Sequence, residues 1–135
     1  MLRILCKIPV GVASVLALVL ILWLTLAPRP VGDVDVPLFE GADKVVHAVM
    51  FGWFALTLIW DAGKYRCRKG LYPYISALGA LLCASASGIT GVAVEFMQRY
   101  LTQSRSFELN DIYADFIGAY AMCAFYCSWR LLRSR

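Results

Sequence analysis

Residues 8–27 run for twenty positions without a charge, and that run decides most of what the chain can become. About 20 apolar residues in helical conformation cross a hydrocarbon core of about 30 Å. A cleaved signal peptide is the competing reading, because Arg3 and Lys7 resemble its basic leading segment. Its apolar stretch is only about 7–15 residues long, however, and Thr25-Leu26-Ala27 is a poor small-x-small cleavage site. The run therefore reads as a retained span, stopped by Pro28 and Pro30.

The rest of the chain repeats the pattern. Further apolar segments cover about residues 45–60, 71–96 and 112–132, with short connections and no internal repeat. Of 135 residues, 61% are hydrophobic and 16% charged, with a mean hydropathy of +0.68. Soluble domains run at about 45–50% apolar and about 25% charged, so a globule of this size in water would have nowhere to hide the surplus. Composition thus argues against a typical soluble enzyme and against a disordered tail. A net charge of +4, split along the chain, is too mild for a nucleic-acid partner. The expected fold is all-α: one domain over residues 1–135, an integral membrane four-helix bundle with the lipid bilayer as its surroundings.

Charge orients that bundle. With the N-terminus in the cytoplasm, the inner side holds Arg3, Lys7, Lys64, Arg66, Arg68, Lys69, Arg130, Arg133 and Arg135; the outer side holds Arg29, Lys44, Arg99 and Arg105. Nine against four satisfies the positive-inside rule and predicts an N-in/C-in, multi-pass protein with both termini cytoplasmic. Every acidic residue except Asp61 then falls outside. The five cysteines, Cys6, Cys67, Cys83, Cys123 and Cys127, include none in an outer loop, so no disulfide framework is expected. Cys123 and Cys127, one helical turn apart, read as small core hydrophobes.

The informative minority lies at one depth. Asp43 and His47 share a face of the second helix, with Lys44 beside them. Glu95 and Gln98 close the third; Asp111 and Asp115 open the fourth, just after Arg105 and Ser106. Polar residues at membrane depth usually face the bundle interior or a water-filled cavity. Gly79, Cys83, Ser87 and Gly91 repeat every four residues and lead to Glu95, so the small-residue face that lets a neighbour approach also carries the carboxylate. Four donors, Asp43, His47, Glu95 and Asp115, could hold a divalent cation. In a catalytic arrangement His47 and Glu95 would be base and acid, with Asp111 and Asp115 as orienting groups or ligands. Lys44, Gln98, Arg105 and Ser106 could bind an anionic head group, Arg105 as a bidentate fork. Taken singly, each has a plainer reading: a helix-contact histidine, first-turn acids favoured by the helix dipole, and Asn110 as an N-cap.

The ordered set has a further meaning. Leu24-Thr25-Leu26 with Pro28 and Pro30, Asp43-Lys44-Val45-Val46-His47, Glu95-Phe96-Met97-Gln98, Arg105-Ser106-Phe107, Asp111 and Asp115-Phe116-Ile117-Gly118 together resemble the VanZ-like family of bacterial membrane proteins, over about residues 8–130. The resemblance implies four to five helices in a bacterial cytoplasmic membrane, and characteristic positions at Asp43, Lys44, His47, Glu95, Gln98, Arg105, Asp111 and Gly118. The family's namesake is linked to low-level teicoplanin resistance. Two positions depart from its pattern: Asp115 stands where Asn is usual, and Met122 near a second expected glycine. The leading expectation is an envelope-modifying or drug-excluding protein whose outer polar pocket recognises a lipid-linked precursor or another anionic group. A small membrane-embedded hydrolase or transferase is the alternative, and a structural or partner-binding bundle the third. Transport ranks below them, because the polar residues stop in the outer third of the bundle.

Overall fold

In a computed structural model of the chain, residues 9–27, 41–101 and 108–133 are described. They form four helices: α1 Val12–Leu26, α2 Ala42–Arg68, α3 Ala77–Leu101 and α4 Leu109–Arg133. No strand occurs among the described residues. The helices alternate in direction. The start of α1 meets the end of α2 through Lys64 Nζ and the Pro9 carbonyl, 3.4 Å apart. The end of α3 meets the start of α4 through Glu95 and Glu108.

The apolar segments mark where helices lie but not where they end. α2 runs beyond residues 45–60 in both directions, because Asp43 in its first turn and Arg66 and Arg68 in its last complement the helix dipole. α3 starts at Ala77 rather than Leu71. Pro73 falls in the intervening stretch, and a proline disfavours helical backbone in the residue before it. Residue 8, at the start of the first expected span, lies outside the described residues, as do Arg3, Lys7, Cys6, Pro28, Arg29, Pro30 and Arg135.

α2 and α3 form the centre. Both contact α1 and α4, which do not contact each other among the described residues. Close approach of α2 and α4 depends on missing side chains. A Cβ on Gly118 would overlap the Ala48 carbonyl, and one on Gly52 would stand 3.0 Å from the Gly118 oxygen and 3.1 Å from Met122 Cγ. The methionine at the second expected glycine therefore finds its space on the partner helix. The buried face of α3 is Ala80, Ala84, Ser87, Gly88, Gly91, Val94, Glu95 and Gln98. The small-residue ridge holds from Ser87 onward but drifts away at Gly79, which is half-buried, as the 3.6-residue period requires. Cys123 is buried in an apolar cluster with Ala55, Ile59 and Ala84, and Cys83 and Cys127 pack against it, in keeping with their reading as core residues.

α1 is fastened by polar bonds at both ends. Its N-cap, Gly11, has left-handed backbone and offers no side-chain cap. The cap comes from α2 instead: Asp61 Oδ2 accepts from Ser14 N–H at 3.0 Å and from Ser14 Oγ at 2.7 Å. At the other end Gln98 Nε2 donates to the Thr25 carbonyl at 3.1 Å, satisfying one of the orphan acceptors of the last turn. Asp61→Leu is expected to destabilise the protein by about 1–2 kcal/mol, the usual worth of a cap, read as a lower thermal midpoint in detergent. An unchanged midpoint would show that the bond adds nothing.

α2 and α3 are each long and apolar enough to cross a membrane. Apolar residues also point away from the bundle. Val15, Leu16, Val19, Leu20 and Trp23 of α1, Trp53 of α2, Leu82 and Ile89 of α3, and Ile117 and Phe125 of α4 are more than half exposed.

Candidate functional site

Where α2 and α4 begin and α3 ends, the bundle closes over charge instead of hydrocarbon. His47 is 6% exposed, Asp111 9%, and Glu95 and Asp115 0%. The glycines make this possible. Gly91 of α3 leaves the space that the Asp115 carboxylate fills, and Gly118, one turn after Asp115, brings α4 against Ala48, next to His47. Phe51, fully buried one turn below, stacks on the imidazole with centroids 6.2 Å apart.

The histidine stands between two carboxylates from one helix. Its Nδ1 lies 3.0 Å from Asp115 Oδ1, a hydrogen bond. Its Nε2 lies 3.9 Å from Asp111 Oδ2, too far for one. Glu95 completes this inner group: one donor atom each from His47, Glu95 and Asp111 lie within 4.8 Å of one another. Glu95 Oε2 accepts from the Glu108 backbone N–H at 3.3 Å. Glu95 Oε1, Asp111 Oδ1 and Asp115 Oδ2 are buried without a hydrogen-bond partner among the described residues.

A second, outer group surrounds Lys44. Its ammonium lies 2.9 Å from Asp43 Oδ2, 3.3 Å from Glu108 Oε2 and 3.7 Å from Asp111 Oδ1. Asp111 therefore faces both groups. Asp43, whose side chain is 53% exposed, belongs to the rim and not to the inner group. Asp115 stands behind the imidazole, on the nitrogen that faces away from Asp111. The four donors Asp43, His47, Glu95 and Asp115 thus fall into different places: among the described residues the compact donor sets are His47, Glu95 and Asp111 inside and Asp43, Glu108 and Asp111 on the rim.

Among the expected head-group residues, Lys44 sits on the rim. Gln98 is buried and donates to Thr25 at the edge of the cluster. Arg105 and Ser106 lie outside the described residues. Ser87, the hydroxyl two turns below Glu95, donates to the Phe51 carbonyl at 2.7 Å. Glu108 was not among the expected residues. The only signal for it is an acid just before the fourth helix, where the helix dipole favours negative charge.

Chemically, the inner group can do what a histidine with one nitrogen held by a carboxylate can do. Asp115 holds Nδ1 and so orients the ring with Nε2 toward Asp111, where that nitrogen can exchange a proton or bind a metal ion. Compared with known proteins, the chain matches no family model, no curated protein and no solved structure.

Proposed function

We propose that the chain is a multi-pass protein of a bacterial cytoplasmic membrane with both termini inside. Its histidine–carboxylate pocket, at the outer leaflet, takes up the polar head group of a lipid-linked envelope compound. Apolar residues on the outward faces of all four helices support the membrane setting, since helices apolar all round are either buried or lipid-facing. Lys64, Arg66, Arg68, Lys69, Arg130 and Arg133 gather at one end of the bundle and support the orientation.

The observation that carries the head-group reading is a junction of two surfaces. An apolar groove of about 420 Å³ begins at Lys44 on the rim and descends between α2 and α4 past Ala48, Val49, Ile117 and Ala121. An amphiphile has a charged end and a hydrocarbon end, and this junction offers both. Beside that junction, Glu95 Oε1 and Asp115 Oδ2 are buried with no hydrogen-bond partner among the described residues.

The resemblance to VanZ-like proteins makes glycopeptide susceptibility the phenotype to measure. The intact chain is expected to shift teicoplanin susceptibility in a bacterial host, and His47→Ala and Glu95→Gln to abolish that shift at equal membrane accumulation. Variants that shift it like the intact chain would overturn the pocket reading, and no shift from the intact chain would remove the resistance role. The His47–Asp115 bond favours one alternative, a hydrolase or transferase in which His47 acts as base on a water. Turnover of a lipid-linked phosphate by the purified protein separates the two.

A further inference from the structure

From the spacing of His47 Nε2, Glu95 and Asp111 we infer that these three residues hold a divalent cation, and that this ion receives the anionic head group. The second part rests on the head-group reading above; the first stands without it. Three observations lead to the ion.

The first is an imbalance of charge. The described cluster contains Asp43, Glu95, Glu108, Asp111 and Asp115, against Lys44 and one histidine. Lys44 is shared among Asp43, Glu108 and Asp111 on the rim and does not bond Glu95. Among the described residues the inner group therefore carries more negative than positive charge. A divalent cation reverses the sign of the inner group and turns it into an anion acceptor.

The second is the geometry at the imidazole. Asp115 Oδ1 holds Nδ1 at 3.0 Å, which leaves Nε2 on the side of Asp111. Nε2 and Asp111 Oδ2 stand 3.9 Å apart, too far for a hydrogen bond and close enough to share one ion. A metal–nitrogen or metal–oxygen bond is about 2.0–2.2 Å for zinc and up to about 2.6 Å for calcium, so two donors on one ion stand at most about 4–5 Å apart. The inner group, within 4.8 Å, fits that span.

The third is the unpaired oxygen of Glu95. Its side chain is fully buried, and while Oε2 is held by the Glu108 backbone, Oε1 has no hydrogen-bond partner among the described residues. A carboxylate held by one oxygen and free at the other is oriented for a ligand. One imidazole with two carboxylates suits Mn²⁺ or Zn²⁺, and Asp115 supplies the outer carboxylate that metal-bound histidines usually have.

The test is Mn²⁺ titration of the purified full chain in detergent, followed by the loss of the free-ion EPR signal. One ion per chain is expected, with affinity reduced at least tenfold in E95Q and D111N. Zn²⁺ should compete for the same site. No binding by the intact chain would overturn the ion. So would binding lost in D43N but kept in E95Q, which would put the ion on the outer rim. If E95Q does not fold, D111N, at the mouth of the site, carries the same comparison. Dodecyl phosphate then separates the two parts. Retention that requires Mn²⁺ and disappears with EDTA supports both. Retention indifferent to EDTA keeps the head-group reading and overturns the ion's part in it. Mn²⁺ bound without dodecyl phosphate keeps the ion and overturns the head-group reading.

Discussion

Gly118→Leu is expected to remove both the fold and the site. A single Cβ there already overlaps the carbonyl of Ala48, and backbone cannot swing aside as a flexible side chain can. Overpacking a tight contact costs about 1–3 kcal/mol when the neighbours can shift; a leucine against backbone falls at or beyond the upper end. Relief requires α2 and α4 to separate. His47 sits one residue from Ala48, and Asp115 less than one turn from Gly118, so separation also stretches the bond between them. The contrast is Gly79→Ala. A Cβ at 79 meets Ser76 Oγ at 3.4 Å and Ile75 Cβ at 3.5 Å, ordinary contacts, and alanine improves on glycine in a helix by up to about 1 kcal/mol. Thermal unfolding and gel filtration in detergent give the comparison. The expected results are a collapsed or aggregated Gly118→Leu protein and a Gly79→Ala protein at least as stable as the original. A Gly118→Leu protein that melts like the original would show that the helices do not meet as described.

The second large effect concerns Asp115. In Asp115→Leu the buried Nδ1 of His47 loses its hydrogen-bond partner, a penalty of about 1–3 kcal/mol, and the ring loses the bond that orients it. Removing such an outer partner typically weakens metal binding about 10–100-fold, and a Mn²⁺ titration should read a loss in that range. Asp115→Asn keeps an oxygen that can accept from Nδ1–H while removing the charge, so its loss should be about tenfold or less. Equal losses in the two variants would mean that Asp115 acts by its charge and not by orienting the ring. Affinity unchanged in both would remove it from the site.

Much of this was legible in the sequence. The four apolar segments locate four helices, because apolar runs that long exceed the length of an ordinary strand. Asp43, Lys44, His47, Glu95, Gln98, Asp111 and Asp115 reach one end of the bundle because their helix-terminal positions and alternating helix directions require it. What was not legible depends on rotation between helices. Asp111 and Asp115 share a helix face by spacing alone, and nothing in that spacing says that they take opposite nitrogens of one imidazole. Asp43 and His47 are likewise four apart, yet one is on the rim and the other is buried. Helix ends were missed for a different reason: hydrophobicity reports where the apolar surface stops, whereas α2 continues through Arg66 and Arg68.

The attachment of α1 has a consequence for assembly. This helix is synthesised before the other three, yet its two polar fastenings wait for residues made much later. Asp61 emerges 47 residues after Ser14, and Gln98 73 residues after Thr25. Until then the α1 amino end and the Thr25 carbonyl lack these partners, and among the described residues α1 has no contact with α4 to compensate. The order of biogenesis is therefore not the order of docking: the first helix made is completed only after the third, and α4 can close on α2 and α3 from the opposite side without waiting for it.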